Sequence, residues 1–135
     1  MSAERSAPPI RVLLVDDQPL FRRAIASLVD AQPDLTVVGQ GDNGLQGVEL
    51  AAQLRPDVVL MDVEMPVMDG LRAVRLIRDT DLPVQPWIVA LTANALSGDR
   101  DRFLAAGMDD YVSKPVTLDA LTAALDRSRV GHVAG

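Results

Sequence analysis

The sequence contains no cysteine, which excludes disulfide bonds, thiolate catalysis and metal sites with cysteine ligands. Lysine and histidine occur once each, as Lys114 and His132, so no site can combine two of either. Aromatic residues are also scarce; they are Phe21, Trp87, Phe103 and Tyr111. The formal net charge is −6. Because nucleic-acid binding depends on a positive surface and often on stacking aromatic side chains, we expect no direct contact with nucleic acid.

Long apolar runs are absent too, since none approaches the roughly 20 residues that cross a bilayer. The first apolar run, 10–15, is followed directly by two aspartates, which is unlike a secretory signal. We therefore expect a cytoplasmic protein that does not bind membranes. The 135 residues suit one domain. Both ends lack apolar periodicity, so we expect a flexible lead at 1–9, a folded domain at 10–127 and a flexible tail at 128–135.

Five short apolar runs alternate with segments of helical periodicity. The runs are 12–15, 35–38, 58–61, 87–91 and 111–112. The first four are nearly continuous and rich in valine, which is typical of strands buried on both faces of a parallel sheet. The helical stripes are Leu20, Ala24 and Leu28 in the first helix, Leu45, Val48 and Ala52 in the second, Val74 and Ile77 in the third, and Leu121 and Leu125 in the fifth. This order predicts an α/β fold of five βα units with right-handed crossovers.

Polar residues follow four of the five predicted strands at the point where each strand ends. They are Asp16 and Asp17 after the first, Asp62 after the third, Thr92 after the fourth and Lys114 after the fifth. Sites in open parallel sheets lie beyond the carboxyl ends of the strands. If these four strands are neighbours, three carboxylates, one hydroxyl and the single ammonium of the chain converge on one edge of the sheet.

Such a cluster has a specific chemical use. Three adjacent carboxylates repel one another unless a cation neutralises them, and oxygen ligands without histidine or cysteine favour Mg²⁺. The lysine and the threonine can donate to phosphoryl oxygens, and a carboxylate can act as nucleophile. Each residue alone has a plainer explanation, such as a helix cap, which we expect for Asp69, or a solvated charge. Their joint placement favours phosphoryl transfer.

Four segments resemble the receiver domain of bacterial two-component response regulators. They are VLLVDDQPLFR, PDVVLMDVEMPVMDG, IVALTANA and AAGMDDYVSKP. The resemblance covers about residues 10–127, and its second half is closer to receivers of hybrid histidine kinases, whereas its first half is closer to DNA-binding regulators. It implies a doubly wound five-stranded parallel sheet with five helices and the flavodoxin-like order 2-1-3-4-5.

The resemblance also implies a role for each clustered residue. Asp62 is the phosphorylated residue and a Mg²⁺ ligand, together with Asp17 and the backbone carbonyl of Glu64. Asp16 holds the ion through water and helps to place Lys114. The remaining implied positions are Thr92 and Lys114 as ligands of phosphoryl oxygens, Ala93 as the small residue that admits the group, Thr92 and Tyr111 as the switch pair, and a cis peptide bond between Lys114 and Pro115.

The implied reaction takes a phosphoryl group from a phosphohistidine on a histidine kinase or a histidine phosphotransfer protein. His132 is not expected to be the donor, because its surroundings show no helical dimerisation segment. The domain would promote its own phosphorylation and autodephosphorylation and no other reaction, and Glu64 and Asn94 would tune the lifetime of the phosphoryl group. The output protein stays unknown.

Two surfaces are expected to bind partners. The donor would dock over the first helix and the edge of the sheet at Asp62. The residues expected on this surface are Pro19, Leu20, Phe21, Arg22 and Arg23. Phe21 is either partly exposed there or packed against the following helix. The output surface would be helix four, strand five and helix five, around Tyr111. The fifth helix lacks a mid-helix arginine to pair with Asp109 and Asp110 on this interpretation, so we expect a monomer or a weak dimer.

Several alternatives stay open at this point. The starting Met1 and the short segment after the fifth helix favour a stand-alone receiver, and a receiver cut from a larger hybrid kinase or regulator is the main alternative. A phosphatase of the haloacid-dehalogenase type also combines aspartate, threonine and lysine, but its nucleophile follows the first strand. An interaction protein that no longer accepts phosphate is disfavoured by the complete set of five residues.

Overall fold

The computed structural model describes residues 8–93 and 97–134, with side chains described for 8–93 and 99–129. Strands and helices alternate within these ranges. They are β1 Ile10–Val15, α1 Pro19–Asp30, β2 Leu35–Gly41, α2 Gly44–Leu54, β3 Val58–Asp62, α3 Gly70–Asp79, β4 Trp87–Thr92, α4 Ser97–Ala106, β5 Asp110–Ser113 and α5 Leu118–Ala134. All strand pairs are parallel, and the strand order is β2-β1-β3-β4-β5. The predicted α/β fold with order 2-1-3-4-5 is therefore confirmed.

The sheet separates two apolar clusters. Residues of β1 alternate between them: Val12 and Leu14 pack with α1 and α5, whereas Leu13 and Val15 pack with α2, α3 and α4. β3 is buried along its whole length. Helices cover both faces of the sheet, so the central strands need apolar residues at consecutive positions and not at every second one.

The inward face of α1 differs from the predicted stripe. Leu20 is 80% exposed and Ala24 is also exposed, whereas Ile25, Ala26 and Val29 are buried. The apolar residues of this helix fit two helical stripes that are offset by one position, and only contact with the sheet decides which of them turns inward.

The inward face of α2 was also predicted wrongly. Leu45 and Ala52 are exposed, and the helix approaches the sheet through Gly44, Gly47 and Ala51. A Cβ on Gly47 would lie 3.2 Å from side-chain atoms of Val15 and Met61, so the close approach depends on small residues. The stripes predicted for the third and fifth helices, by contrast, are buried.

The fifth helix is longer than predicted. It continues to Ala134, so residues 128–134 are helical where a flexible tail was expected. Ser128 is buried and donates to the carbonyl of Leu125, and Arg129 forms an ion pair with Asp34 next to the start of β2. Arg127 lies within this helix and forms an ion pair with Asp110, so the expectation of no arginine partner for the acidic pair is wrong.

The starts of α3 and α1 carry local signals, of which the Asp69 cap was expected from the sequence. The side chain of Asp69 accepts a hydrogen bond of 2.9 Å from the N–H of Arg72 and caps α3. Pro19 is the first residue of α1. No helix within the described ranges has both the length and the apolar character to cross a membrane.

Candidate phosphoryl-transfer site

Strand order brings the predicted site residues to one edge of the sheet. β1, β3 and β4 are neighbours, with Val15 opposite Met61 and Asp62 opposite Leu91, so the residues that follow these strands lie side by side. They surround a cleft of about 220 Å³. Its lining is Asp17, Gln18, Asp62, Val63, Glu64, Thr92, Ala93 and Lys114. Asp16 lies beneath it, fully buried.

Asp16 is fully engaged in hydrogen bonds. Its Oδ1 accepts from the N–H of Gln18 at 2.9 Å, and its Oδ2 accepts from Nζ of Lys114 at 3.0 Å. Its backbone carbonyl accepts from Nη1 of Arg22 at 2.7 Å. Because both carboxylate oxygens are occupied, this residue orients Lys114 and the first turn of α1.

Asp62 lies at the end of β3 and is 5% exposed. Burial raises the pKa of its carboxyl group to about 6, and the negative charge of Asp16 adds to the rise. Lys114, with Nζ 3.6 Å from Oδ1, and the N–H of Glu64 act in the opposite direction. The negative charge of Asp62 is therefore under-compensated by the protein itself, and a bound cation would relieve it.

The acidic residues fit a hard divalent cation. Asp16, Asp17 and Asp62 each offer one carboxylate oxygen, and these atoms lie within 4.8 Å of one another. Oxygen-only ligands and an adjoining cleft that leaves room for water match the preferences of Mg²⁺. Burial is the main cause of the raised pKa of Asp62, and the negative charges of Asp16 and Asp17 add to it, so a cation bound here would lower that pKa.

The loop that follows Asp62 is held by backbone contacts. The N–H of Gly70 donates to the carbonyl of Val63 at 2.9 Å, and the N–H of Gly44 donates to the carbonyl of Met68 at 3.0 Å. A Cβ on Gly44 or Gly70 would overlap the backbone of this loop. Both positions therefore need glycine if the two ends of the loop, at Asp62–Val63 and at Met68, are to keep their places. The role of Gly44 was not predicted, because this residue contacts Met68 from α2, a helix that carries none of the predicted site residues.

Lys114 is held from several sides. Its backbone N–H donates to the carbonyl of Thr92 at 2.7 Å, which joins the ends of β5 and β4, and its peptide bond to Pro115 is cis. Its Nζ lies 4.4 Å from the centroid of the Phe21 ring. Phe21 is half-buried, which agrees with the expectation of partial exposure, and its buried side packs against the apolar cluster beneath α1.

The two residues of the predicted switch pair line different depressions, Thr92 the small cleft and Tyr111 a larger groove. Thr92 is buried at the cleft, and Ala93 is exposed at its mouth. Tyr111 is half-buried, with its ring centroid 6.4 Å from that of Phe103. It lines a larger groove, of about 980 Å³, between α4, β5 and α5. The larger groove contains none of the clustered carboxylates, so we assign the chemistry to the smaller cleft.

Two residues that were considered from the sequence fall outside the described part of the chain, one of them only in its side chain. Asn94 lies outside the described residues, and so does the side chain of His132. Gln18 and Arg22, by contrast, form contacts with Asp16 that were not predicted from the sequence, where Arg22 was expected only on the donor-docking surface. Their contacts with Asp16 follow from the tight turn between β1 and α1, a feature that residue type alone does not reveal.

The chain matches the family model described as response regulator receiver domain over residues 12–126. It is 43% identical over 124 residues to a protein-glutamate methylesterase/protein-glutamine glutaminase of Nocardioides sp., covering 90% of this chain and 33% of that protein. The chain spans between 14% and 57% of the length of curated relatives such as this one.

Two solved structures are also similar. One is the receiver domain of the sensor histidine kinase PA1611 from Pseudomonas aeruginosa, with a magnesium ion coordinated in its active-site cleft; it has 39% identity, a TM-score of 0.78 and coverage of 88% of this chain and 96% of that one. The other is the complex of the Saccharomyces cerevisiae histidine phosphotransfer protein Ypd1 with the receiver domain of Ssk1, with 28% identity, a TM-score of 0.77 and coverage of 87% and 86%.

These findings agree with the geometry of the cleft. The haloacid-dehalogenase alternative is not favoured, because Asp62, the residue predicted as nucleophile, is the last residue of β3, whereas the nucleophile of that family follows the first strand. The family model covers nearly all of the described chain, and the receivers similar to it come from both regulators and histidine kinases. The chain belongs to the response regulator receiver family, the phosphoacceptor domains of two-component and phosphorelay signalling.

Proposed function

We propose that Asp62 accepts a phosphoryl group from a phosphohistidine and that this modification controls the binding of an output protein. The observation that carries the proposal is the position of Asp62. It is a nearly buried carboxylate at the cleft, next to Asp16 and Asp17, with the ammonium of Lys114 3.6 Å from its Oδ1. This environment suits a nucleophile whose product carries more negative charge than the reactant.

In the proposed reaction an oxygen of Asp62 attacks phosphorus, and the bond between phosphorus and the donor imidazole nitrogen breaks. The electron pair of that bond returns to the imidazole. Lys114 and Thr92 donate to the phosphoryl oxygens, and Ala93 leaves room at the mouth of the cleft. Water later hydrolyses the acyl phosphate, and Glu64, which lines the cleft, orients or repels that water.

Mg²⁺ is the proposed cofactor, and it supplies positive charge that offsets the charge of the phosphoryl group and of the carboxylates. Its proposed ligands are Asp17, Asp62 and the backbone carbonyl of Glu64, with Asp16 acting through water. Support comes from the three carboxylate oxygens within 4.8 Å of one another and from the magnesium ion in the related P. aeruginosa receiver.

The proposed phosphodonor is a histidine kinase or a histidine phosphotransfer protein, and it docks over α1. The complex of the related Ssk1 receiver with Ypd1 supports this class of partner. Leu20 is the large exposed apolar side chain of the first turn of α1, and it lies two positions after Gln18, which lines the cleft. Leu20, and not Phe21, is therefore the apolar contact that we propose for the donor.

The proposed output surface is the groove between α4, β5 and α5. Attraction of Thr92 toward the phosphoryl group makes space for Tyr111 to turn inward, and this changes the shape of the groove that Tyr111 lines. A coupling of about 1–3 kcal/mol is enough to change partner affinity about 5- to 150-fold. The change is a shift between existing conformations.

The experiment that tests the proposal is phosphorylation by acetyl phosphate with Mg²⁺, followed by intact mass measurement. The wild-type chain should gain one phosphoryl group, and Asp62→Asn should gain none. Asp69→Asn is the matched control, because Asn also caps a helix and Asp69 lies in the same loop. It should be phosphorylated normally. Equal phosphorylation of Asp62→Asn and the wild type would refute the assignment.

A further inference from the structure

Lys114 is the only lysine in the chain, and one side of its ammonium is covered by an aromatic ring. We propose that Phe21 is a positioning residue, whose ring holds the Lys114 ammonium at the cleft and thereby strengthens binding of the phosphoryl group on Asp62. This inference rests on the proposed function, because binding of phosphoryl oxygens by Lys114 is part of that function.

The geometry is that of a cation–π contact. Nζ of Lys114 lies 4.4 Å from the ring centroid, inside the range of about 6 Å within which a ring face attracts a cation. The same Nζ lies 3.0 Å from Oδ2 of Asp16 and 3.6 Å from Oδ1 of Asp62. The Lys114 side chain is 19% exposed. The ring and the two carboxylates together restrict the ammonium to the inner side of the cleft.

A ring has an advantage over a third carboxylate at this position. A lysine side chain is long and flexible, and it loses rotamer freedom when its ammonium is held in one place. The ring attracts the charge without accepting a strong directional hydrogen bond, so the N–H groups of Lys114 stay available for an incoming phosphoryl oxygen. A carboxylate would compete with that oxygen.

The ring is itself anchored. Phe21 packs against the apolar cluster beneath α1 and lies in the first turn of that helix. The next residue, Arg22, donates from Nη1 to the carbonyl of Asp16 at 2.7 Å and from Nε to Oε1 of Gln40 at 3.2 Å. The start of α1, Asp16 and Lys114 are thus joined through direct contacts, which fix the backbone position from which the ring reaches the ammonium.

The direct test observes Lys114 by NMR. Selective isotope labelling of lysine yields one set of side-chain signals, because the chain has one lysine. The ring should shift the protons next to Nζ upfield. Phe21→Leu keeps an apolar side chain but removes the ring, and it should abolish this shift, whereas Phe21→Tyr should retain it. Identical lysine shifts in the wild type and Phe21→Leu would overturn the inference.

The functional test measures affinity for beryllofluoride, which mimics the phosphoryl group, in the presence of Mg²⁺. Phe21→Leu should bind roughly 2- to 30-fold more weakly, the range that a cation–π contact of ordinary strength corresponds to, and Phe21→Tyr should bind like the wild type. Leu28→Ala is the matched control, since Leu28 lies in α1 and packs against the same cluster. It should lower stability and leave the affinity unchanged.

A double-mutant cycle separates positioning from packing. In a Lys114→Met background the Phe21→Leu substitution should have no further effect on beryllofluoride affinity. An equal loss in both backgrounds would show that the ring acts independently of the lysine and would overturn the inference. If the wild-type chain does not bind beryllofluoride, the proposed function fails and this inference fails with it. If the wild type binds and Phe21→Leu binds equally well, only this inference is refuted.

Discussion

Nζ of Lys114 lies 3.0 Å from Oδ2 of Asp16, a residue 98 positions earlier in the chain, and 3.6 Å from Oδ1 of Asp62. The single lysine is therefore hydrogen-bonded to the carboxylate beneath the cleft and not to the proposed phosphoacceptor. Asp62 is left with incomplete compensation of its charge, which agrees with its raised pKa.

The first prediction concerns stability and pH without metal. The pKa of Asp62 is about 6 in the folded protein, whereas an aspartate without these interactions, as in the unfolded chain, has a pKa of 3.8. The unfolded chain therefore releases this proton at lower pH. The contribution of Asp62 to the free energy of unfolding therefore falls as pH rises from about 4 to about 6. At pH 7.5 Asp62→Asn should be more stable than the wild type by at most about 3 kcal/mol, and at pH 4 the difference should be small.

Urea denaturation in EDTA at several pH values measures this effect. Saturating Mg²⁺ at pH 7.5 should reduce the difference in free energy of unfolding between Asp62→Asn and the wild type, because the ion binds to and stabilises the folded wild-type protein. A stability difference that stays constant between pH 4 and 7.5 would contradict the raised pKa.

The second prediction concerns the loop after Asp62. Gly44→Ala would place a Cβ against the backbone carbonyl of Met68, which cannot turn away. We expect a loss of roughly 1–3 kcal/mol in unfolding free energy and weaker Mg²⁺ binding. Gly39→Ala is the control, because its Cβ would meet the flexible end of the Leu54 side chain. Unimpaired Mg²⁺ binding by Gly44→Ala would show that the contact does not shape the site.

The third prediction concerns backbone strain in the same loop. Val67 is 79% exposed and has φ 68°, a left-handed conformation that is costly for a β-branched residue. Val67→Asn should raise the free energy of unfolding by about 0.5–1 kcal/mol, since asparagine tolerates this conformation. Val84 is 71% exposed and lies outside the positive-φ region, so Val84→Asn should have no such effect. If both substitutions raised the free energy of unfolding equally, the gain would come from the polar side chain and not from relief of backbone strain at Val67.

The fourth prediction concerns Arg78 on α3. Its guanidinium donates to the carbonyls of Gly107 and Pro86, to Oε1 of Gln85 and to Oδ2 of Asp109. Removal leaves several partly buried acceptors without this donor, so Arg78→Ala should lower the free energy of unfolding by roughly 2–4 kcal/mol. Arg78→Lys should lose less of the free energy of unfolding than Arg78→Ala but should not reach the wild-type value, because an ammonium lacks the planar set of donors of a guanidinium.

Thermal and urea denaturation measure the loss at Arg78. The matched control is Arg75→Ala, which removes an exposed arginine from the same helix and should change stability by no more than about 0.5 kcal/mol. Similar losses for the two variants would mean that the hydrogen bonds of Arg78 contribute little.

Local patterns were sufficient to predict the order of the elements and the charged and hydroxyl residues that cluster at the cleft, whereas Glu64 and Ala93 came from the family resemblance and Gln18 was not predicted. The apolar runs identified the strands because both faces of this sheet are covered. Asp62 and Thr92 end their strands, and Asp16 and Lys114 directly follow theirs. Parallel strands bring their carboxyl ends to one edge whatever the details of packing. The capping role of Asp69 was equally local, since it depends on residues three positions apart.

Contacts between distant segments could not be read in the same way. The inward face of α1 was predicted wrongly because two offset apolar stripes satisfy the helical period, and only the sheet selects between them. The pairing of Arg127 with Asp110 and the extension of α5 depend on how that helix packs beside β5 and β2. The sequence by itself determined which residues reach the edge of the sheet, because strand ends are a local property. The tertiary structure decided that Phe21 covers Lys114 and that Gly44 holds the loop, because those contacts join elements whose separation in space no local pattern encodes.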